Sequence, residues 1–200
     1  MKILVTGATS GLGRHAVQYL LQSGESVVAT GRNCEVGRSL TNAGAQFVAL
    51  DLTEATEDDC SRLMDGCDAV WHCAAKSSPW GDKTAFWLAN VKVTHTLAQA
   101  AGRLNIPRFI HISTPAVYFD FQHHNDLPET YLARAFSSHY ASSKYAAEQV
   151  IAGAVSRYSA TRFILLRPRG LFGPHDQVIV PRLMQQLQQG GGCLRLPRGG

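Results

Sequence analysis

Close to the start of the chain, Thr6-Gly7-Ala8-Thr9-Ser10-Gly11-Leu12-Gly13 stands between the apolar run Ile3–Val5 and a helical pattern that begins near Gly11. A strand that runs straight into a three-glycine turn and then a helix has few structural uses. The glycines permit a tight turn and close approach to the backbone, while the helix start offers unpaired N–H groups and the positive end of its dipole. That is a ready anion site. Three glycines alone would also serve a strained turn before a buried helix, so it is their place inside a strand–loop–helix unit that points to a pyrophosphate.

The remainder of the chain repeats the pattern. Short apolar runs at Ile3–Val5, Ser26–Thr30, Gln46–Leu50, Ala69–His72, Phe109–Ile112 and Phe163–Leu166 read as strands. Helices are expected between them near Gly11–Ser23, Glu35–Ala43, Thr56–Met64, Lys83–Leu104 and Ser138–Tyr158, with a further one at Val180–Gln189. Strand–helix alternation demands crossovers and a parallel sheet covered on both faces, an α/β doubly wound (Rossmann) architecture. Gly24, Gly44 and Gly66 sit where left-handed residues would end helices, and Pro107 closes the long helix before Phe109. With no repeat or Pro/Ser-rich linker, residues 1–200 are expected to form a single dinucleotide-binding unit.

Composition excludes several other classes. The hydrophobic share of 45% against 17% charged suits a well-cored domain, and the net charge of +4 is spread without a basic arm for nucleic acid or an anionic membrane. Met1-Lys2-Ile3-Leu4-Val5 is too short an apolar start for a signal peptide, and no segment is long enough to span a bilayer, so a cytoplasmic protein is expected. Cys34, Cys60, Cys67, Cys73 and Cys193 form no C-x-x-C pair, and the adjacent His123-His124 lacks partners at ligand spacing, so reduced thiols and no metal are expected.

The second informative stretch is Tyr140-Ala141-Ser142-Ser143-Lys144. Spacing of i, i+4 puts phenol and ammonium on one helix face, and a cation is what a phenol of pKa about 10 needs to act as acid and base near neutrality. Ser113-Thr114 ends the fifth strand, where a hydroxyl at the carboxyl edge of a parallel sheet faces the ligand crevice; Thr114 is the expected carbonyl-binding hydroxyl and Ser113 either satisfies local backbone or touches the cofactor. At the end of the second strand, Ala29-Thr30-Gly31-Arg32-Asn33 has no carboxylate for a ribose 2′-OH. Arg32 there suits a 2′-phosphate, favouring NADP(H) with NAD(H) possible, unless it is simply a solvated loop residue.

These residues resemble the short-chain dehydrogenase/reductase superfamily over essentially the whole chain, and most closely its extended branch of epimerases, dehydratases and 3β-hydroxysteroid dehydrogenase-like reductases. The motifs occur in order: TGATSGLG, Asp51-Leu52, Cys73-Ala74-Ala75, Asn90-Val91, ISTPAVY, YASSK and RPRGLFGP. The resemblance implies that Gly7, Thr9, Ser10, Gly11, Leu12 and Gly13 hold the dinucleotide phosphates, that Asp51 bonds the adenine amine and that Leu52 lies against the ring. It implies that Ala74 and Ala75, followed by Lys76, line the cofactor channel, and that Asn90 orders the Lys144 region. Thr114, Tyr140 and Lys144 are the implied catalytic set, Tyr140 as proton donor and acceptor, and Lys144 binding the nicotinamide ribose and lowering the tyrosine pKa. Arg167, Pro168, Arg169 and Gly170 would wall the nicotinamide end. Read without the resemblance, Asp51 is an ordinary cap of the following helix and Asn90 a solvated amide.

Two departures stand out. The glycine spacing Gly7-x-x-x-Gly11-x-Gly13 follows the superfamily's classical branch, and extended members continue well beyond the length of this chain, so a truncated C-terminal substrate lobe is expected, the final Cys193-Leu194-Arg195-Leu196-Pro197-Arg198-Gly199-Gly200 offering no element to close a core. Pro79, Trp80, Phe86, Trp87, Phe119 and Phe121 suit an apolar substrate if they face the crevice, and core if they do not. Hydride transfer to or from a small-molecule ketone or secondary alcohol is the leading expectation. A nucleotide-sugar epimerase or dehydratase and a non-catalytic NADP-binding regulator are the alternatives, and Pro115 after Thr114 argues against a dehydratase. A homodimer is expected through the helices Lys83–Leu104 and Ser138–Tyr158, using Val91, Ala98, Ala101, Ala147, Ile151 and Val155 unless these pack on their own sheet.

Overall fold

The computed structural model describes residues 1–78, 80–176 and 179–190. Six strands, β1 (Lys2–Thr6), β2 (Ser26–Gly31), β3 (Gln46–Ala49), β4 (Ala69–His72), β5 (Arg108–Ile112) and β6 (Arg162–Leu166), form one sheet in the order β3-β2-β1-β4-β5-β6. Every neighbouring pair is parallel. The doubly wound architecture expected from the alternating pattern is thus present, and the strand order reverses between β1 and β4. At such a switch point the connecting helices part to opposite faces and leave a crevice at the carboxyl ends of the strands.

Alternation along the strands builds two cores. Ile3, Val5, Val27, Ala29 and Ala69 pack under α1 (Gly11–Gln22) and α2 (Cys34–Asn42) with Ala16, Val17, Leu20 and Leu40. Leu4, Val28, Val70 and Phe109 face the other way, against α3 (Glu57–Leu63), α5 (Val93–Arg103) and α6 (His139–Arg157). Fully burying one such aliphatic or aromatic side chain is worth about 1.5–3 kcal/mol, which is why a parallel sheet needs both layers. Gly24, Gly44 and Gly66 do adopt positive φ at the helix ends.

The long helix expected at Lys83–Leu104 is interrupted. It comprises α4 (Lys83–Phe86), a π-helical segment Trp87–Lys92 and α5. The π turn accommodates one extra residue and turns Asn90 and Val91 inward, which a 3.6-residue period cannot reveal. Asp51 does not cap α3; Thr56 does, in a reciprocal capping box with Asp59. A short 3₁₀ turn, Pro115–Tyr118, follows β5.

Of the six side chains considered for a dimer face, Val91, Ala98, Ala101, Ala147 and Ile151 are buried within the chain itself and only Val155 is exposed. Their own sheet and helices therefore use them. The last helix, α7 (Ile179–Gln189), is capped by Asp176, which accepts from the Ile179 and Val180 amides, and buries none of its residues; Val180, Leu183 and Met184 are exposed. Pro79 and residues 193–200 lie outside the described residues. Among the described residues no helix is long and apolar enough to cross a membrane.

Candidate active site

The glycine turn is built as a cradle. Gly7 has φ +65°, and a Cβ there would lie 2.8 Å from the Ala74 backbone, so the turn is pressed against the end of β4. A Cβ on Gly13 would fall 2.3 Å from the Gly7 carbonyl oxygen. No side chain fits at either position. Ser10 is the N-cap of α1 without a side-chain capping bond, and Thr9 packs against Gly31 at the end of β2. The Gly11 N–H donates to the His175 carbonyl at 3.3 Å, while Leu12 and Gly13 lie in the first turn, where the helix supplies amides with no carbonyl of its own. No acidic residue occupies that turn, and the Nε of Arg14 is buried there with no hydrogen-bond partner among the described residues. A bare backbone cradle and an orphaned cation fit a dinucleotide diphosphate.

At the adenosine end, Asp51 accepts from the Thr53 amide at 3.0 Å and its hydroxyl at 2.8 Å, and pairs with exposed Arg32 at 3.5 Å. The Thr53 bonds, more than Arg32, hold the Asp51 carboxyl below its usual range. Leu52 is buried in the core cluster rather than lying open on the surface. Ala74 is half-buried and Ala75 exposed. Asn90 is not a solvated amide: it is 1% exposed, accepts from the Lys76 amide at 2.7 Å and donates to the Lys76 carbonyl at 3.1 Å and to Ser143 at 2.9 Å. It ties the loop after β4 to α6.

Thr114 and Tyr140 meet at the carboxyl end of β5. Thr114 caps the 3₁₀ turn, accepting from the Ala116 amide, and its hydroxyl contacts the Tyr140 phenol. Burial pushes that phenol above its ordinary value, and the Thr114 contact offsets this only in part. The expected lowering by Lys144 is not what this structure shows, because the ammonium turns away. Lys144 is 2% exposed, donates to the Ile112 carbonyl at 2.5 Å and lies 3.3 Å from His111 Nε2. Burial draws it down to about 8 against the pull of Glu148 and Cys73.

Ser113 turns from the crevice and donates to Glu148 at 2.5 Å. Glu148 in turn holds Arg167, whose guanidinium also donates to the Tyr118 hydroxyl and the Glu129 carbonyl. Arg167 is thus a strut between α6, β6 and the loop after β5. Pro168 is half-buried, Arg169 and Gly170 are exposed, and the chain beyond them reaches the glycine turn at His175. A cavity of about 370 Å³ opens among Tyr118, Glu129, Thr130, Leu165 and Arg167. Of the aromatic residues considered for substrate, Phe86 is core at 1% exposure, whereas Trp80, Trp87, Phe119 and Phe121 are exposed. His124 is engaged by Asp120 and Tyr131.

Sequence reasoning missed Arg14, His111 and Glu148. Glu148 stands one further turn along the same face as Tyr140 and Lys144, a spacing that could have found it.

A glycine turn at a sheet switch point, with a Tyr–Lys helix at the same edge, defines a Rossmann domain of the short-chain dehydrogenase/reductase type. The model of the NAD dependent epimerase/dehydratase family matches residues 3–199, and the chain belongs to that family, within the extended branch of the superfamily. It is 48% identical over 200 residues to the uncharacterized protein YbjS of Escherichia coli (strain K12), covering 100% of this chain and 59% of that one. It is 33% identical over 188 residues to a 2-alkyl-3-oxoalkanoate reductase of Shewanella oneidensis, covering 90% of this chain and 47% of that one. The solved UDP-glucuronic acid 4-epimerase of Bacillus cereus in complex with NAD superposes with a TM-score of 0.80 at 28% identity, over 95% of this chain and 63% of that one. The chain therefore spans about half the length of these curated relatives.

Proposed function

We propose that this chain carries the cofactor and proton-transfer machinery of an NAD(P)-dependent oxidoreductase acting on a ketone or secondary alcohol, of the 3β-hydroxysteroid dehydrogenase-like or ketone-reductase kind. The observation that carries the reading is the contact of the Tyr140 phenol with the Thr114 hydroxyl at the sheet edge that also bears the glycine cradle. A bound nicotinamide supplies the hydride donor or acceptor. Tyr140 gives its proton to the carbonyl oxygen during reduction and takes one back during oxidation, while Thr114 holds the same oxygen. A phenol raised by burial stays protonated at neutral pH, which is the form that reduction requires. Lys144 orders the floor beneath the nicotinamide ribose. Gly7, Thr9, Ser10, Gly11, Leu12 and Gly13 hold the diphosphate together with Arg14, Asp51 and Leu52 hold the adenine side, Ala74, Ala75, Lys76 and Asn90 form the channel wall, and Pro168, Arg169 and Gly170 the far end.

The relative that reduces a 2-alkyl-3-oxoalkanoate supports a ketone as substrate, and exposed Trp80, Phe119 and Phe121 support an apolar one. Arg32, held beside Asp51, supports NADP(H) over NAD(H). The uncovered apolar side chains of α7 fit a substrate portion packed against them, and exposed Trp87, Leu88 and Val155 fit a homodimer, in the cytoplasm, testable by light scattering. The deciding experiment is NADPH oxidation with a 2-alkyl-3-oxo acid, parent beside Tyr140→Phe. Turnover in the parent and its loss in the variant is expected; equal rates would remove Tyr140 from the chemistry, and no turnover in either would favour a cofactor-binding regulator.

The likeness to a UDP-glucuronic acid 4-epimerase favours a second reading, in which the same proton step serves an internal oxidation and re-reduction of a nucleotide sugar. Isomerisation of a UDP-sugar without consumption of free NADPH would establish it.

A further inference from the structure

A polar row crosses the sheet one residue below the crevice. Parallel register aligns Thr6 of β1 with His72 of β4, and His72 with His111 of β5. All three side chains are buried, on the face that carries α5 and α6. The hydrogen bonds fix the state of the first histidine. Thr94 donates to the Asn90 carbonyl at 2.7 Å, so its oxygen accepts from His72 Nε2 at 2.9 Å. His72 Nδ1 then accepts from the Thr6 hydroxyl at 2.8 Å, and Thr6 accepts from the Ala74 amide at 3.2 Å. His72 is neutral and satisfied at both nitrogens.

His111 is different. Its ring lies 5.2 Å from that of His72, its Nε2 is 3.3 Å from the Lys144 ammonium, and its Nδ1 is buried with no partner among the described residues. An ammonium has only hydrogens to offer, so Nε2 is the acceptor and the ring proton sits on Nδ1. An unpaired buried N–H is a standing cost, which a leucine or phenylalanine at this place in the core would avoid. The contact with Lys144 is what the imidazole provides in return.

We propose that His111 is a positioning residue for Lys144, its neutral Nε2 and the Ile112 carbonyl together holding the ammonium under the crevice one helical turn from Tyr140. The proposal rests on the oxidoreductase reading for its consequence, but the contact itself is testable without turnover. Both histidines are kept neutral by burial and by the neighbouring Lys144 charge, so His111 remains an acceptor throughout the neutral range. The other groups acting on Lys144 are Glu148, one turn further along α6 and already committed to Arg167 and Ser113, and Cys73 after β4, whose thiol burial pushes up to about 12. Tyr140 stands on the same helix.

The test begins with the unmutated protein, in which ¹⁵N shifts of His111 report its tautomer. A pyridine-type Nε2 with a protonated Nδ1 is expected; a protonated Nε2 overturns the proposal. The second arm follows the Lys144 titration by NMR of ¹³Cε-labelled lysine, assigned with Lys144→Arg. His111→Leu, which lacks the acceptor, is expected to lower the Lys144 midpoint by about one pH unit, whereas His111→Gln, which places an amide oxygen near the former Nε2, restores most of it. Equal midpoints in the two variants overturn the proposal. If the parent reduces a ketone, His111→Leu is expected to lose about tenfold in kcat/KM above pH 8 and little at pH 6.5, with recovery in His111→Gln. A parent with the stated tautomer and midpoints but no turnover would sink the oxidoreductase reading and leave the contact standing.

Discussion

Glu148 grips Arg167 through both carboxylate oxygens, Nε to Oε1 at 2.8 Å and Nη2 to Oε2 at 2.5 Å, and does so at a buried position between α6 and β6. The pair links the helix that carries Tyr140 and Lys144 to the strand bordering the crevice, and Glu148 raises the guanidinium pKa while accepting from Ser113. Removing one partner leaves the other charge buried and alone. Arg167→Met should therefore cost about 3–5 kcal/mol of unfolding free energy, measured by urea denaturation. A loss below about 1 kcal/mol would show that the pair is not buried in solution as it is here.

The cradle predicts a binding defect of a different kind. Gly13→Ala would drive a methyl group into the Gly7 carbonyl, which is backbone and cannot swing aside. Dinucleotide affinity should fall by about tenfold or more, read by fluorescence titration of NADPH, with far-ultraviolet circular dichroism confirming that the sheet and helices remain. Unaltered affinity would mean that the diphosphate binds elsewhere.

Cofactor choice turns on Arg32. In Arg32→Ser, affinity for NADPH should drop about tenfold and affinity for NADH by less than about twofold, because only the former offers a phosphate for a charge-assisted bond. A parent protein that already prefers NADH would remove the argument.

Acid should weaken the fold before most carboxylates are protonated. Burial, followed by the Lys144 charge, holds His72 at about 3, and His111 is held well below its usual range by burial, Lys144 and His72. Unfolded histidines take up protons near 6.5, so the stability these neutral rings contribute is complete above that pH and is lost as pH falls towards the folded value. Below about pH 6 the unfolding free energy should fall with a slope approaching about 1.4 kcal/mol per unit for each ring. Urea melts at pH 7, 6 and 5 measure the slope, and His72→Gln should reduce it by about one proton's worth. A flat profile would mean that one or both rings are accessible.

Much of the architecture is legible from residue pattern alone, since the strands are short apolar runs alternating with helical patterns, three of which stop at Gly24, Gly44 and Gly66, and the glycine turn announces the crevice. The catalytic candidates Tyr140 and Lys144 are visible because their spacing is local to one helix. The histidine row is not, because His72 and His111 interrupt apolar strands in ways that look incidental until register aligns them with Thr6. Ser113 is legible as a position but not in its contact, which comes from Glu148 of α6, far along the chain; for Asn90 the resemblance points to the Lys144 region, and its two bonds to Lys76 are not legible.

The wide π turn at Trp87–Lys92 also constrains how this protein can change. Deleting a single residue there would restore ordinary helix and swing Asn90 by about 100° around the axis relative to Val93–Arg103. The amide would leave Lys76 and Ser143 together, so the loop after β4 would lose its tie to α6. This stretch of helix must therefore keep its residue count.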